Sequence, residues 1–172
     1  MSILTYSWFM EARTLHAPLN ALSAATRPQG IEIATLTTFD IPALAVLTLE
    51  AYGDDVTPEA LLETSEELRL TFEGAFGATT EDSFVGAWDG GTLVGAILVV
   101  RESPWDDAPD DPFVVDLIVA PDYRRRGIAT ALVAEVAGRC ASWGFGSLAL
   151  RLDSRHGGAN ELYSVLGFEE IA

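Results

Sequence analysis

Lysine is absent from this chain of 172 residues. All ten of its basic residues are arginines, set against 26 aspartates and glutamates, for a formal charge of -16. A chain so short of positive charge has no general electrostatic grip on nucleic acid or anionic lipid. Its field draws cationic partners instead, or else the acidity serves only solubility and tolerance of high salt. Cysteine is nearly missing too. With Cys140 alone, neither an internal disulfide nor a cysteine-based metal cluster can form, and a reducing cytoplasm is the expected setting. Long apolar runs are also lacking. Nowhere do 18 apolar residues follow one another, so no membrane-spanning helix is expected. The opening MSILTYSWFMEAR has neither the basic start nor the sustained apolar stretch of a secretion signal.

What is present is the composition of a globular protein, 49% hydrophobic and 21% charged, in a chain long enough to bury a core without staples. Residues 1–30 show no sustained period and read as an N-terminal extension with some helix, ahead of one domain at 31–172. IEIATL alternates like a strand. In TFDIPALAVLTLEAY, Asp40 is placed to cap a helix with Pro42 in its first turn, and Thr57-Pro58 opens a second helix. Asp89-Gly90-Gly91 supplies turn chemistry for a hairpin between two valine-rich runs. FVVDLIVA is a continuous apolar strand of the doubly buried kind. From Gly127, the residues Ile128, Leu132, Val136 and Cys140 recur every fourth position and mark one face of a helix to about Trp143. SLALRL is a further strand and ANELYSVLG a short helix closed by Gly167, with a last strand barely begun at FEEIA.

Arg124-Arg125-Arg126-Gly127-Ile128-Ala129 lies where a buried strand gives way to this helix. One reading is an arginine-rich surface turn. The other is an anion cradle: the free amides and the dipole of the helix start attract negative charge, and small residues at 127 and 129 let a diphosphate approach the backbone. Context favours the cradle. After the next strand comes Leu162-Tyr163-Ser164-Val165-Leu166-Gly167-Phe168, and the two segments together resemble the acetyl-CoA site of the GNAT N-acetyltransferase superfamily. That site has an R/Q-x-x-G-x-G/A loop and a downstream LY-x-x-x-GF helix. The likeness is close over about residues 113–169, whereas 31–101 agree in element order alone.

The resemblance implies an α/β (α+β) fold with a mixed, splayed sheet and helices on both faces. It implies acetyl-CoA as cosubstrate and acyl transfer to an amine by direct attack. Arg124 and the backbone of Arg125, Arg126, Gly127, Ile128, Ala129 and Thr130 would hold the pyrophosphate. Main-chain groups of Leu117 and Val119 would pair with the pantetheine arm as an added strand. Tyr163 would stand near the sulfur, or else be an ordinary half-buried aromatic. Asp116 is the best-placed carboxylate to accept the amine's proton, or it binds the substrate's cation or satisfies a backbone group.

Departures from the family pattern leave three questions. His156 stands where many members carry an asparagine that touches pantetheine; it is a replacement contact, an alternative base or a surface loop histidine, with Asn160 a second candidate for that contact. Arg151 occupies a strand position where some relatives place a catalytic glutamate. The family's last hairpin is reduced, so either residues 1–30 or the partner subunit of a homodimer is expected to cover a sheet edge. The acidic segment Trp105–Asp111 points to a cationic acceptor such as a polyamine or aminoglycoside, with a protein N-terminus as the other choice. A catalytically idle acyl-CoA-binding module is the alternative function, favoured by the lack of an evident partner for Asp116.

Overall fold

The computed structural model describes residues 13–22, 26–102, 106, 110–152 and 159–171. The strands are β1 (Arg13–Pro18), β2 (Ile31–Thr35), β3 (Phe84–Asp89), β4 (Thr92–Val100), β5 (Phe113–Val119), β6 (Ser147–Leu152) and β7 (Glu169–Glu170). They form one seven-stranded sheet in the order β2-β3-β4-β5-β6-β1-β7. The helices are α1 (Leu19–Leu22), α2 (Ile41–Tyr52), α3 (Pro58–Phe72), α4 (Ile128–Ser142) and α5 (Ala159–Leu166). This is the mixed sheet with helices that the sequence led us to expect.

Alternation along the strands sorts the core onto two faces. Ala96, Leu98 and Ile118 pack with Leu44 and Leu47 of α2 and Leu68 of α3. Ile97, Val99 and Val114 point the other way, onto Ile128, Leu132 and Val136 of α4. The every-fourth-residue stripe of α4 is buried along its whole length, including Cys140. Each fully buried Leu or Ile contributes roughly 1.5–3 kcal/mol of transfer free energy, so this stripe is what holds α4 to the sheet. Its far end is fixed by Arg139, which donates to Thr35 Oγ1 and the Asp82 carbonyl, both at 2.8 Å, and pairs with Glu135 at 3.2 Å.

Helix starts follow the sequence signals with one difference. Thr57 caps α3 through its hydroxyl, which accepts from the Ala60 amide at 3.1 Å. Asp40 occupies the cap position of α2, but its carboxylate turns back to accept from the Thr37 amide at 2.8 Å and makes no cap bond to α2. The single turn of 3-10 helix at Thr38–Asp40 competes for that carboxylate and wins.

Residues 1–30 also differ from their aperiodic reading. Arg13–Pro18 pairs with β6 over six residues and with β7 over two, burying Leu15 and Ala17. A strand of this length, ended by Pro18 and followed at once by α1, is too short to show a period by itself. It covers the edge of β6, so of the two alternatives for covering a sheet edge, residues 1–30 or a partner subunit, the first is the one seen.

The feature that shapes the site is at the centre. β5 and β6 are the parallel pair, and they are joined at Phe113↔Ala149 and Val114↔Leu150 alone, with the Ala149 amide also bonded to the Pro112 carbonyl at 2.9 Å. Beyond Val114 no further described residues of the two strands pair, which leaves a gap in the ladder. Between the pairs Val99↔Val114 and Leu98↔Asp116, Val115 faces no residue of β4, and such an extra residue bends and twists its strand.

α4 sits very close to β4 beside this gap. A Cβ built on Gly95 would lie 2.9 Å from Ile128 Cγ2 and 3.2 Å from Leu132 Cδ1. Ile128 is stiff near its backbone, so Gly95→Ala is expected to push the start of α4 off the sheet and cost about 1–3 kcal/mol. Urea unfolding checks this, with a matched loss of less than 0.5 kcal/mol expected, roughly, for a surface control such as Glu59→Gln.

Candidate functional site

Along the gap in the β5–β6 ladder, β5 presents its backbone groups. Asp116 and Ile118 exchange hydrogen bonds with β4 in the antiparallel ladder, as the register and the Ala120 amide on the Val94 carbonyl at 2.8 Å require. Leu117 and Val119 therefore aim their N–H and C=O groups away from β4, into the gap. These are the two residues expected to meet a pantetheine arm.

At the mouth of the gap the chain turns through Pro121–Tyr123 into the arginine loop. Arg125 adopts φ 62° and Gly127 φ 80°. A left-handed non-glycine residue costs about 1–2 kcal/mol, and the two left-handed residues turn the chain just ahead of α4. Gly127 is the N-cap of α4 and has no side-chain cap. Among the described residues, no amide from 125 to 130 donates to a protein acceptor; the first internal bond is from Ala131 to the Gly127 carbonyl at 3.0 Å. Space in front of Gly127 is open, with only Pro28 Cγ at 3.9 Å from a built Cβ. The side chain of Ile128 is buried and roots the helix start, Ala129 and Thr130 are half-buried, and Arg125 and Arg126 are exposed. The Arg126 guanidinium lies 4.8 Å over the Tyr123 ring, whose hydroxyl donates to Asp89 at 2.6 Å.

Arg124 is differently employed. Its Nη2 donates to the Ala51 carbonyl at 2.6 Å and its Nε to the Val119 carbonyl at 3.2 Å. The side chain thus joins the end of α2 to the end of β5.

Asp116 has a partner that sequence reading missed. The Tyr52 hydroxyl donates to Asp116 Oδ1 at 2.6 Å, across 64 residues of chain. This corrects the expectation that Asp116 lacks one. Beside them Thr48, Thr64, Glu67, Leu68 and Thr71 close a small cavity of about 20 Å³ against Asp116, room for a single water. Nothing local marks Tyr52 as functional, because it is the last residue of an apolar helix and the pairing exists only in three dimensions.

Tyr163 is 4% exposed, packed edge-on against Phe168 with ring centres 5.5 Å apart. Among the described residues no group hydrogen-bonds its hydroxyl. Burial, with the Asp116 charge adding to it, pushes its phenol well above the usual value. Tyr163 and Asp116 are therefore brought into electrostatic reach of each other. His156 and the side chain of Asn160 lie outside the described residues, as does most of the acidic segment before β5. Arg151 faces β1, its Nε on Thr14 Oγ1 at 3.3 Å.

Free amides at an open helix start and a backbone-lined gap are what a phosphate-bearing, strand-like ligand needs. The residues present fit coenzyme A in that respect: 125–130 for its diphosphate, Leu117 and Val119 for its arm. The chain belongs to the acetyltransferase (GNAT) family, whose model matches residues 46–168. No curated protein sequence matches it. Among solved structures it resembles a GCN5-related N-acetyltransferase from Sphaerobacter thermophilus, with a TM-score of 0.66 at 23% identity, covering 93% of this chain and 48% of that one. It also resembles the ribosomal-protein-S18-alanine N-acetyltransferase from Escherichia coli, with a TM-score of 0.61 at 20% identity over 83% of this chain and 79% of that one. A third is an aminoglycoside N-acetyltransferase in complex with CoA, with a TM-score of 0.63 at 20% identity, covering 87% and 94%. The chain spans about half or less of the length of the first two structures it matches, 48% and 37%. Among the described residues no helix is long and apolar enough to cross a membrane, and none form a metal-binding cluster.

The raised Tyr163 phenol has a testable consequence. A folded-state value above the unfolded one gives stability that is complete below about pH 10 and is lost as pH rises beyond it. Thermal melting followed from pH 9 to 11, roughly, is expected to show a falling midpoint that Tyr163→Phe flattens. A remaining slope is expected from Cys140, whose thiol is pushed up to about 12 by burial and the Asp82 charge.

Proposed function

We propose that the chain is an acetyl-CoA-dependent N-acetyltransferase that acts on a cationic amine. The single observation that carries this reading is the pairing of unengaged amides at 125–130 with the backbone-lined gap at Leu117 and Val119. When bound there, acetyl-CoA supplies an acyl group activated as a thioester.

The remaining work falls to this chain's residues. The amides of 125–130 and the positive end of α4 hold the diphosphate. Leu117 and Val119 fix the arm along β5, so the thioester end is delivered between Asp116 and Tyr163. Asp116 receives the acceptor's ammonium and takes its proton, directly or through the water its cavity has room for. The amine nitrogen then bonds to the acyl carbon as the carbon–sulfur bond breaks, and the second proton that the nitrogen sheds goes to the departing thiolate, leaving the amide and the free thiol. Tyr163, kept protonated by its surroundings, hydrogen-bonds the departing sulfur. Holding both reactants in line is the largest contribution expected.

The acceptor is a small molecule or peptide bearing a primary amine. The excess of 26 acidic over ten basic residues raises the local concentration of cations near the surface, and the Asp116 carboxylate is the group that meets the amine. The idle-module alternative loses one of its supports, since Asp116 has a hydrogen-bond partner in Tyr52.

Thiol release from acetyl-CoA, measured across polyamines, aminoglycosides and N-terminal peptides, tests the reading. Turnover with at least one amine is expected, and Tyr163→Phe should lower kcat about a hundredfold with KM little changed. Binding of CoA with no turnover for any amine would return the idle module. Gly127→Glu places a negative charge on the cradle and strains a left-handed position, so calorimetry should show CoA affinity reduced about a hundredfold or more in a folded protein.

A further inference from the structure

We propose that Arg124 is a positioning residue for the acceptor-side carboxylate, acting through the end of α2, and that the pyrophosphate is left to the loop's backbone amides. The catalytic consequence rests on the transferase reading above; the clamp itself does not.

The last carbonyls of any helix lack internal partners. At the end of α2, the amide of Gly53 bonds the Glu50 carbonyl at 3.2 Å and that of Asp54 bonds the Leu49 carbonyl at 2.9 Å. The Ala51 carbonyl is met from 73 residues away, by Arg124 Nη2 at 2.6 Å. A cation at the negative end of a helix dipole, donating a charge-assisted hydrogen bond, is among the stronger polar contacts a protein makes. The same guanidinium donates through Nε to the Val119 carbonyl at 3.2 Å. One rigid planar group therefore spans α2 and β5.

The next residue along α2 is Tyr52, whose hydroxyl reaches Asp116 at 2.6 Å. Helix and strand are thus tied at two places: Tyr52 to Asp116, and Ala51 through Arg124 to Val119. Two ties on β5 about 10 Å apart prevent the helix end from pivoting, which a single hydrogen bond does not. Without the Arg124 tie, the end of α2 keeps its apolar packing but loses one of its polar links to β5, and the direction from which Tyr52 meets Asp116 Oδ1 is less fixed. Lysine cannot replace arginine here, because an ammonium is a point donor without the planar fork that reaches both carbonyls. The clamp also shares a residue with the cofactor side, since Val119 is one of the two residues that face the gap.

The test uses Arg124→Lys, Tyr52→Phe and their combination in the full chain. Three measurements are made: CoA affinity by calorimetry, kcat and KM with an accepted amine, and amide exchange at Gly53 and Asp54. Arg124→Lys is expected to leave CoA affinity within about threefold and to lower kcat about tenfold, since small misplacements at a reacting centre carry such losses. Exchange at Gly53 and Asp54 should quicken. The double variant should be no slower than Tyr52→Phe alone, because both changes act on one chain of contacts. CoA affinity lost tenfold or more, roughly, with exchange at the helix end unchanged, would overturn the proposal and make Arg124 a phosphate ligand. Should Arg124→Lys fail to fold, Tyr52→Phe decides: kcat equal to that of the parent protein sinks the idea, and a fall in kcat with CoA affinity retained supports it. If the parent protein binds no CoA at all, the transferase reading fails, and the exchange result still accepts or rejects the clamp.

Discussion

The site depends on two strands that stop pairing. A parallel pair such as β5 and β6 is joined by evenly spaced slanted hydrogen bonds, and nothing in that pattern ends it. It ends here because each strand has a stronger commitment on its other side. β5 follows β4 through the extra residue Val115, while β6 follows β1 over six residues. Buried backbone groups left unpaired are costly, so a gap lined with them is stable only where solvent or a ligand can satisfy them. The ligand that does so best is itself strand-like.

β1 has a larger part in this than its length implies. By pairing with β6 from Arg13↔Leu152 to Pro18↔Ser147, it gives β6 a partner along the stretch where β6 leaves β5. α4 holds the opposite flank: its contact with Gly95 of β4 and its Arg139 bonds to the β2 and β3 side set the helix start at the mouth of the gap. The amides of 125–130 are thereby aimed by packing at both ends of α4, and the left-handed residues Arg125 and Gly127 provide the final turn. Tyr163 enters from α5 on the same face, within the α4 core.

How much of this was legible beforehand follows the range of the interactions. Elements whose cause is local were readable: the four-residue stripe of α4, the Thr57 cap, the Asp89-Gly90-Gly91 turn, the glycine that ends α5. The loop and the Tyr163 helix were readable as a pair because their spacing matches a known family. Contacts between distant segments were not. Tyr52 with Asp116 and Arg124 with Ala51 join residues 64 and 73 positions apart, and no periodicity reports such a meeting. Arg124 is the instructive case. Sequence identifies it as part of a phosphate-binding pattern, whereas its geometry shows a guanidinium engaged by two carbonyls. β1 was missed for a related reason, since six residues ended by a proline acquire strand character only from the partner they find.

On the proposed function a chain with a charge of -16 receives a polyanion, and the two demands are reconciled by distance. At physiological salt the protein's overall field is screened beyond about 8 Å, so repulsion from distant carboxylates mainly slows the approach of an anion. Within that radius the local terms decide. Unpaired amides at a helix start and the exposed Arg125 and Arg126 act over a few ångströms, where screening is weak and hydrogen bonds are directional. On the α2–α3 face of the sheet the local charge is of the other sign, since Asp116 and Glu67 border one small cavity. On the proposed function, the anionic and the cationic reactant thus meet different local charge. β5 takes part in both, since its backbone groups at Leu117 and Val119 point sideways into the gap and its Asp116 side chain points to the α2–α3 face.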